Sequence, residues 1–215
     1  QEFPTPSPRI GEKLAELELE FLQQDLEQLF NSMQTGSDRI SQIILGLRNF
    51  SRLDESEQKA VDITEGLENT LLIVQRRLQA QGERPAIQVQ KQYASLPPVN
   101  CYASQLNQVF LNILNNAIDV LSESPIPENP QIEITTELLD SQTVRIRFAD
   151  NGVGMSETVR QKVFDPFFTT KPVGQGTGLG LSISYQIITE QHGGQLQCYS
   201  QLGQGTEFIL DIPII

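Results

Sequence analysis

"GQGTGLGL", residues 174 to 181, places a glycine at every second position directly before an apolar run. Glycine reaches backbone conformations closed to other residues and lets a ligand approach the main chain, but it weakens any helix that contains it. The stretch is therefore either a flexible connection or a cradle for a bulky anionic ligand. A helix is predicted from Leu181 to "HGG", and its free N–H groups and dipole favour an anion at that end.

The composition indicates a soluble protein with one large domain, or one medium domain with an appendage. Of the 215 residues, 38% are apolar, and no run approaches the roughly 20 apolar residues that cross a bilayer. No membrane contact is expected from this segment. The formal charge of −12 excludes nucleic acid as a partner, because the phosphate backbone would be repelled. Cys101 and Cys198 are isolated and are interpreted as buried residues in a reducing cytosol.

The N-terminal segment is predicted to be a short leader followed by a long helix. Residues 1–9 contain three prolines and should be disordered. Over residues 10–56, apolar residues recur at alternating spacings of four and three, which is a heptad seam broken only by Gly36. The seam residues are Leu22, Leu26, Leu29, Met33, Ile40, Ile43, Leu47 and Phe50. We expect the helix over residues 12–53 to pack in a bundle and to form a dimer.

Residues 57–215 mix strands and helices in an order that indicates an α+β fold. Period-two alternation predicts strands over residues 86–93, 131–139 and 143–150, and a closing hairpin over residues 195–212. "AVDI", residues 60 to 63, suits a further short strand. Helices are predicted over residues 62–79 and 104–121, and the first opens with a capping box at Asp62 and Glu65. The predicted architecture is a two-layer sandwich, with a mixed sheet covered by helices on one face and preceded by the long dimerisation helix.

Asn112, Asn116 and Asp119 share one face of the helix predicted over residues 104–121, because they lie four and three residues apart. Asparagine is a mediocre helix former, so this face has a cost in helix stability. It is either a solvated face or a row of hard oxygen ligands. Such ligands suit Mg²⁺, which prefers few protein ligands together with water and phosphate.

"DNGVGM" follows directly from the strand predicted over residues 143–150. Asp150 therefore stands at a strand end, where its carboxylate can accept from an amino group, and Gly152 and Gly154 allow a tight bend. A type I′ hairpin at Asn151-Gly152 is the alternative, although no clean returning strand follows. In "FDPFFTTK", residues 164 to 171, the three phenylalanines are interpreted as core or hinge packing, and Lys171 can reach phosphates as a point charge.

Four motifs in this order resemble the nucleotide-binding fold shared by sensor histidine kinases, gyrase, MutL and the large heat-shock chaperones. "NQVFLNILNNAID" resembles the N box, "DNGVGM" the first glycine box, "FDPFFTTK" the F box and "GQGTGLGL" the second glycine box. The resemblance covers about residues 57 to 213. It points to the bacterial sensor histidine kinases, because "SDRISQIILGLRNFSRLDE" is similar to the second helix of their dimerisation domain.

The resemblance implies ATP and Mg²⁺ as ligands and gives the site residues their roles. Asn116 is implied to be the Mg²⁺ ligand and, with Asn112, a catalytic residue. Asp119 is implied to lie near the phosphates, and Asp150 to recognise the adenine amino group with Thr206 in the same network. The pocket and its mobile lid are completed by Gly152, Gly154, Lys171, Gly176, Thr177, Gly178, Leu179 and Gly180.

The resemblance implies a cytoplasmic protein-histidine kinase of a two-component system, with a second copy of the chain and a response regulator receiver domain as partners. Hydrolytic members of the superfamily usually carry a glutamate at the position of Asn112, where it activates water as a general base. An amide cannot accept that proton, which favours phosphoryl transfer. The alternatives are a hydrolytic ATPase of the gyrase and MutL kind and a nucleotide-sensing module without transfer activity.

His192, in "EQHGG", is the only histidine of the chain. A histidine at a helix C-terminus is explained by capping and by its interaction with the helix dipole. We therefore do not expect His192 to accept a phosphoryl group. The acceptor is expected on a dimerisation helix upstream of these residues or on another chain, unless the protein only binds nucleotide.

Overall fold

The computed structural model describes residues 58–82, 84–123, 125–172 and 176–214, and five residues of the N-terminal segment. Those five, which are Asp25, Leu26, Leu29, Phe30 and Met33, are helical. Apart from them, the predicted leader over residues 1–9 and the predicted dimerisation helix over residues 10–56 lie outside the described residues.

The strands and helices predicted after residue 57 are present, with small shifts at their ends. In chain order, the elements are β1 (Lys59–Val61), α1 (Ile63–Leu78), β2 (Gln88–Tyr93), β3 (Val99–Cys101), α2 (Ala103–Val120), β4 (Gln131–Asp140), β5 (Thr143–Asp150), α3 (Glu157–Arg160), α4 (Gly180–Gln186), a π-helix (Ile187–Gln191), β6 (Gln195–Gln201) and β7 (Gly205–Pro213). β3 and α3 were not predicted from the sequence, since three or four residues are too few to show a period.

The main sheet has the strand order β2-β4-β5-β7-β6. β2 runs parallel to β4, and the other neighbours are antiparallel, so the prediction of a mixed sheet is confirmed. β7 lies between β5 and β6, and this pairing sets Thr206 opposite Asp150. β1 and β3 form a separate two-stranded sheet.

One face of the main sheet is covered by α1, α2 and α4, which confirms the two-layer sandwich. The strands alternate, with buried Ile132 and Ile134 in β4 and buried Val144, Ile146 and Phe148 in β5. Each such side chain contributes about 1.5–3 kcal/mol when it is fully buried. The apolar stripe of α2 that packs on them consists of Leu106, Val109, Phe110, Ile113, Leu114, Ala117 and Ile118.

The two long helices begin where local chemistry predicts. Asp62 is the N-cap of α1, and its Oδ1 accepts from the backbone N–H of Thr64 at 2.8 Å, satisfying one of the free donors of the first turn. α2 has no side-chain cap at Tyr102 and depends on the burial of its apolar stripe. Within the described ranges, no helix combines the length and the apolar character needed to span a bilayer.

Candidate functional site

The C-terminal end of β5 presents a buried carboxylate. Asp150 accepts from the backbone N–H of Gly152 at 2.9 Å and from that of Thr206. Burial raises the pKa of Asp150 from 3.8 to about 6, and these two hydrogen bonds only partly offset it. No side chain of the described residues donates to this carboxylate. Asp150 can therefore still accept a hydrogen bond from the amino group of a ligand.

The loop after Asp150 does not form the hairpin considered as an alternative. Asn151 instead fixes the loop to the start of β4, since its Oδ1 accepts from the N–H of Gln131 at 2.8 Å and its Nδ2 donates to the carbonyl of Asn129 at 2.7 Å. Gly154 has φ +67°, and a Cβ there would lie 2.0 Å from the carbonyl oxygen of Gln201. Only glycine fits where the loop packs against β6.

Ser200 and Thr206 form a hydroxyl pair beside Asp150. Their Oγ atoms lie 2.9 Å apart, and Ser200 also accepts from the N–H of Met155 at 2.8 Å and donates to the carbonyl of Gly205. A cavity of about 370 Å³ opens here, with Asp150, Ser200 and Thr206 in its walls. Ser200 was not predicted as a site residue, because a single serine in a strand carries no signal of its own.

Asn112 joins α2 to α4. Its Nδ2 donates to the carbonyl of Gly180 at 2.9 Å and to Oγ of Ser184 at 3.1 Å, while its Oδ1 accepts from Gln108 at 3.1 Å. Both amide hydrogens of Asn112 are thus donated to the start of α4. In this structure Asn112 positions the start of α4.

Asn116 lies one turn further along the same face of α2. Its half-buried side chain has no hydrogen-bond partner among the described residues. The amide oxygen is a hard donor and fits Mg²⁺, which takes one or two protein oxygens and completes its shell with phosphate and water. The described part of the chain contains no cluster of three or more histidine, cysteine or carboxylate side chains that could hold a metal without such help.

Asp119 is the centre of a charge cluster that draws on three parts of the chain. It accepts from Nη2 of Arg77, on α1, at 2.5 Å and from Nζ of Lys171, which precedes the glycine stretch. Nη1 of Arg77 donates to Oδ1 of Asn115. Neither Arg77 nor Asn115 was predicted in this role. A basic residue in the last turn of a helix, such as Arg77, is already explained by the helix dipole.

The glycine stretch is fastened to "FDPFFTTK" by its backbone. The N–H of Phe167 donates to the carbonyl of Gly178 at 2.9 Å, and both residues have positive φ, at 65° and 64°. A Cβ at Gly178 would lie 2.4 Å from the carbonyl carbon of Phe167, so the two segments approach too closely for any side chain. Thr177 accepts from the N–H of Leu179 at 3.4 Å just before α4 begins at Gly180.

The phenylalanines of "FDPFFTTK" have different surroundings. Phe164 packs against Tyr185 and Phe208, with ring centroids 5.2 and 6.4 Å apart. Phe167 is 74% exposed, so of the two interpretations, core or hinge packing, the first is wrong for this residue. Its backbone, which carries the positive φ, is the part that contacts the glycine stretch.

His192 is held between two elements by both ring nitrogens. Nε2 accepts from the backbone N–H of Tyr102 at 3.1 Å, so Nδ1 carries the proton and donates to the carbonyl of Ile187 at 2.8 Å. Burial lowers the pKa of His192. The ring thus joins the end of the π-helix to the start of α2, and neither nitrogen is free to attack a phosphate.

Comparison with known proteins shows which family this chain belongs to. Residues 101–215 match the family described as histidine kinase-, DNA gyrase B-, and HSP90-like ATPase. Sporulation kinase E of Bacillus subtilis is 34% identical over 186 residues, which is 86% of this chain and 24% of that protein. The signal transduction histidine-protein kinase AtoS of Escherichia coli is 35% identical over 82% of this chain and 27% of its own length.

A solved structure is similar to this chain in both fold and sequence. The full-length ShkA in complex with AMPPNP is 27% identical, with a TM-score of 0.68 over 83% of this chain and 36% of that one. The chain therefore belongs to the histidine kinase-, DNA gyrase B- and HSP90-like ATPase family. Both named relatives are kinases, and AtoS is named as a histidine-protein kinase. The chain spans about a quarter of the length of these two relatives.

Proposed function

We propose that this chain is the catalytic, ATP-binding part of a two-component protein-histidine kinase. It transfers the γ-phosphoryl group of ATP to a histidine on a dimerisation helix. Residues 58–214 do not supply that histidine. The observation that carries the proposal is the pairing of a buried acceptor, Asp150, with the unpartnered amide of Asn116. The first suits the adenine amino group, and the second suits the Mg²⁺ that accompanies the phosphates.

The residues divide the work between recognition and positioning. Asp150 binds the adenine amino group, and Thr206 fixes its orientation through the β5–β7 pairing. Asn116 holds Mg²⁺, which neutralises the negative charge of the phosphates when it is bound. Asn112 orients the segment from Gly176 to Gly180, which closes on the phosphates. Phosphoryl transfer needs little more than such positioning and charge neutralisation.

Asn112 also separates transfer from hydrolysis. An amide cannot take a proton from water, and both ends of this amide are already hydrogen-bonded to Gln108, Gly180 and Ser184. A general base for water is therefore missing at this position. This favours transfer to a histidine over ATP hydrolysis.

The partners follow from the same proposal. We propose a homodimer through the helix over residues 12–53, supported by its heptad seam. The receiver domain of a response regulator would take the phosphoryl group onward in the cytoplasm, where ATP is available. In the solved complex of the kinase ThkA with the response regulator TrrA, ThkA is 24% identical to this chain with a TM-score of 0.63, which is a likeness of fold.

Binding is tested first. Mg²⁺-ATP at a hundred times its dissociation constant should add about 2.7 kcal/mol to the free energy of unfolding. An unchanged melting temperature at millimolar nucleotide would count against the whole proposal.

Transfer is tested with radiolabelled ATP and an added dimerisation fragment that contains the acceptor histidine. The fragment should become labelled, this chain should not, and Asn116→Ala should abolish the labelling. Acid-labile label on His192 contradicts the assignment. Release of phosphate without transfer indicates an ATPase, and binding with neither reaction indicates a nucleotide sensor.

A further inference from the structure

We propose that Arg77, on a helix that carries none of the four motifs, binds the phosphates of the nucleotide together with Lys171, and that Asp119 positions both cations. This inference rests on the proposed function. It adds a specificity residue for the triphosphate that neither the motifs nor the comparisons assign.

The cluster around Asp119 has more positive than negative charge. One carboxylate accepts from two cationic side chains, Arg77 and Lys171, which leaves a net charge of about +1 at the cluster. The rest of the chain is acidic, with a formal charge of −12. Asp119 also lies on the same face of α2 as Asn116, three residues away. A surplus of positive charge therefore lies one turn from the proposed Mg²⁺ ligand.

Arg77 still has donors for a ligand. A guanidinium carries five N–H donors, and Arg77 uses one on Asp119 and one on Asn115. The remaining three have no acceptor among the described residues. The Arg77 side chain is 42% exposed, against 24% for Lys171, so a ligand can reach it from solvent. A planar guanidinium held by two partners matches the paired oxygens of a phosphate group.

The cluster also touches the glycine stretch. A Cβ at Gly176 would lie 3.3 Å from both Cβ and Cδ of Lys171, so the lysine stem packs against the backbone of the stretch. Lys171 thereby joins the charge cluster to the segment proposed to close on the phosphates. Arg77, from α1, donates to Oδ1 of the same carboxylate, whereas Lys171 donates to Oδ2.

The test compares two neighbouring arginines. Arg77→Gln and Arg76→Gln remove the same charge from the same turn of α1, but Arg76 is exposed and its side chain has no partner among the described residues. The dissociation constants of Mg²⁺-ATP and of adenosine are measured by calorimetry on the full chain. Arg77→Gln should weaken ATP binding about tenfold or more, as expected for the loss of a charged hydrogen bond, and leave adenosine unchanged. Arg76→Gln should change neither.

Three outcomes overturn the proposal. Equal weakening of ATP and adenosine by Arg77→Gln indicates that the residue only supports the fold, which the melting temperature of the ligand-free variant checks. Equal weakening of ATP by both variants indicates a general effect of net charge. If the wild-type chain binds neither ligand, the proposed function itself fails and the role of Arg77 fails with it. Arg77→Lys keeps the charge but not the planar fork, and its affinity for ATP should fall between those of the wild type and Arg77→Gln.

Discussion

Replacing Asp150 with asparagine should make the protein more stable and less selective at the same time. Burial raises the pKa of Asp150 from 3.8 to about 6. Above pH 6 the folded protein therefore holds an ionised carboxylate that burial disfavours, and the rise in pKa from 3.8 to about 6 corresponds to about 3 kcal/mol. Asparagine has nearly the same shape and keeps an oxygen for the N–H of Gly152, but it carries no charge. Asp150→Asn should raise the free energy of unfolding at pH 7.5 by up to about 3 kcal/mol.

The pH dependence gives the sign of the effect. Because the folded pKa is raised, folded Asp150 retains a proton that the unfolded chain has lost between about pH 4 and 6. Protonated Asp150 therefore contributes stability to the wild-type fold at low pH, and this contribution is lost as the pH rises through about 6. The Asp150→Asn variant has no group that titrates here and shows no such loss. The advantage of the variant should therefore shrink to about half at pH 5.

Urea unfolding followed by circular dichroism, at pH 5 and pH 7.5, measures both values on the two proteins. Nucleotide binding is measured in parallel. The variant should discriminate less between adenine and guanine, because an amide can donate to the guanine oxygen as well as accept from the adenine amino group. A variant that is less stable than the wild type at pH 7.5, or an advantage that is equal at both pH values, would refute the reasoning.

Two further predictions concern the backbone and the buried imidazole. Gly154→Ala should lower the free energy of unfolding by at least about 2 kcal/mol, because it adds a clash with the carbonyl of Gln201 to the strain of positive φ. Gly193→Ala is the matched control, since Gly193 also has positive φ but open space around it. Equal losses of stability in urea unfolding of the two variants would contradict the close approach at Gly154. Because the pKa of His192 is lowered in the folded protein, the unfolded chain binds the proton first, and the wild type should lose stability as the pH falls below 6.5. His192→Gln should remove this loss. Parallel curves of stability against pH for the two proteins between pH 7.5 and 5.5 would exclude it.

The sequence predicted those parts of the fold that depend on local periodicity. Alternation marked β4 and β5 because Ile132, Ile134, Val144 and Ile146 face the core at every second position. The helices over residues 62–79 and 104–121 were marked in the same way by their apolar faces. The glycine and asparagine motifs also marked the segments of the candidate site, because their composition and order can be read along the chain without knowledge of the folded geometry.

Contacts between distant side chains could not be predicted in this way. Arg77 is 42 residues from Asp119, and nothing in its local sequence distinguishes it from the chain's other cations. Which cation meets a given carboxylate depends on how α1 packs against α2. The same holds for Asn112, whose partners on α4 are 68 and 72 residues away.

The position of β7 has a consequence for synthesis on the ribosome. β7 follows β5 and β6 in the sequence but lies between them in the sheet. A growing chain therefore carries two strands with open edges until residue 213 has been made and released from the exit tunnel. Thr206 belongs to β7, so Asp150 meets its neighbour only in that last step. A chain halted just before Gly205 would lack Thr206, the neighbour of Asp150 in the candidate site, and would expose strand edges that chaperones and other nascent chains can bind.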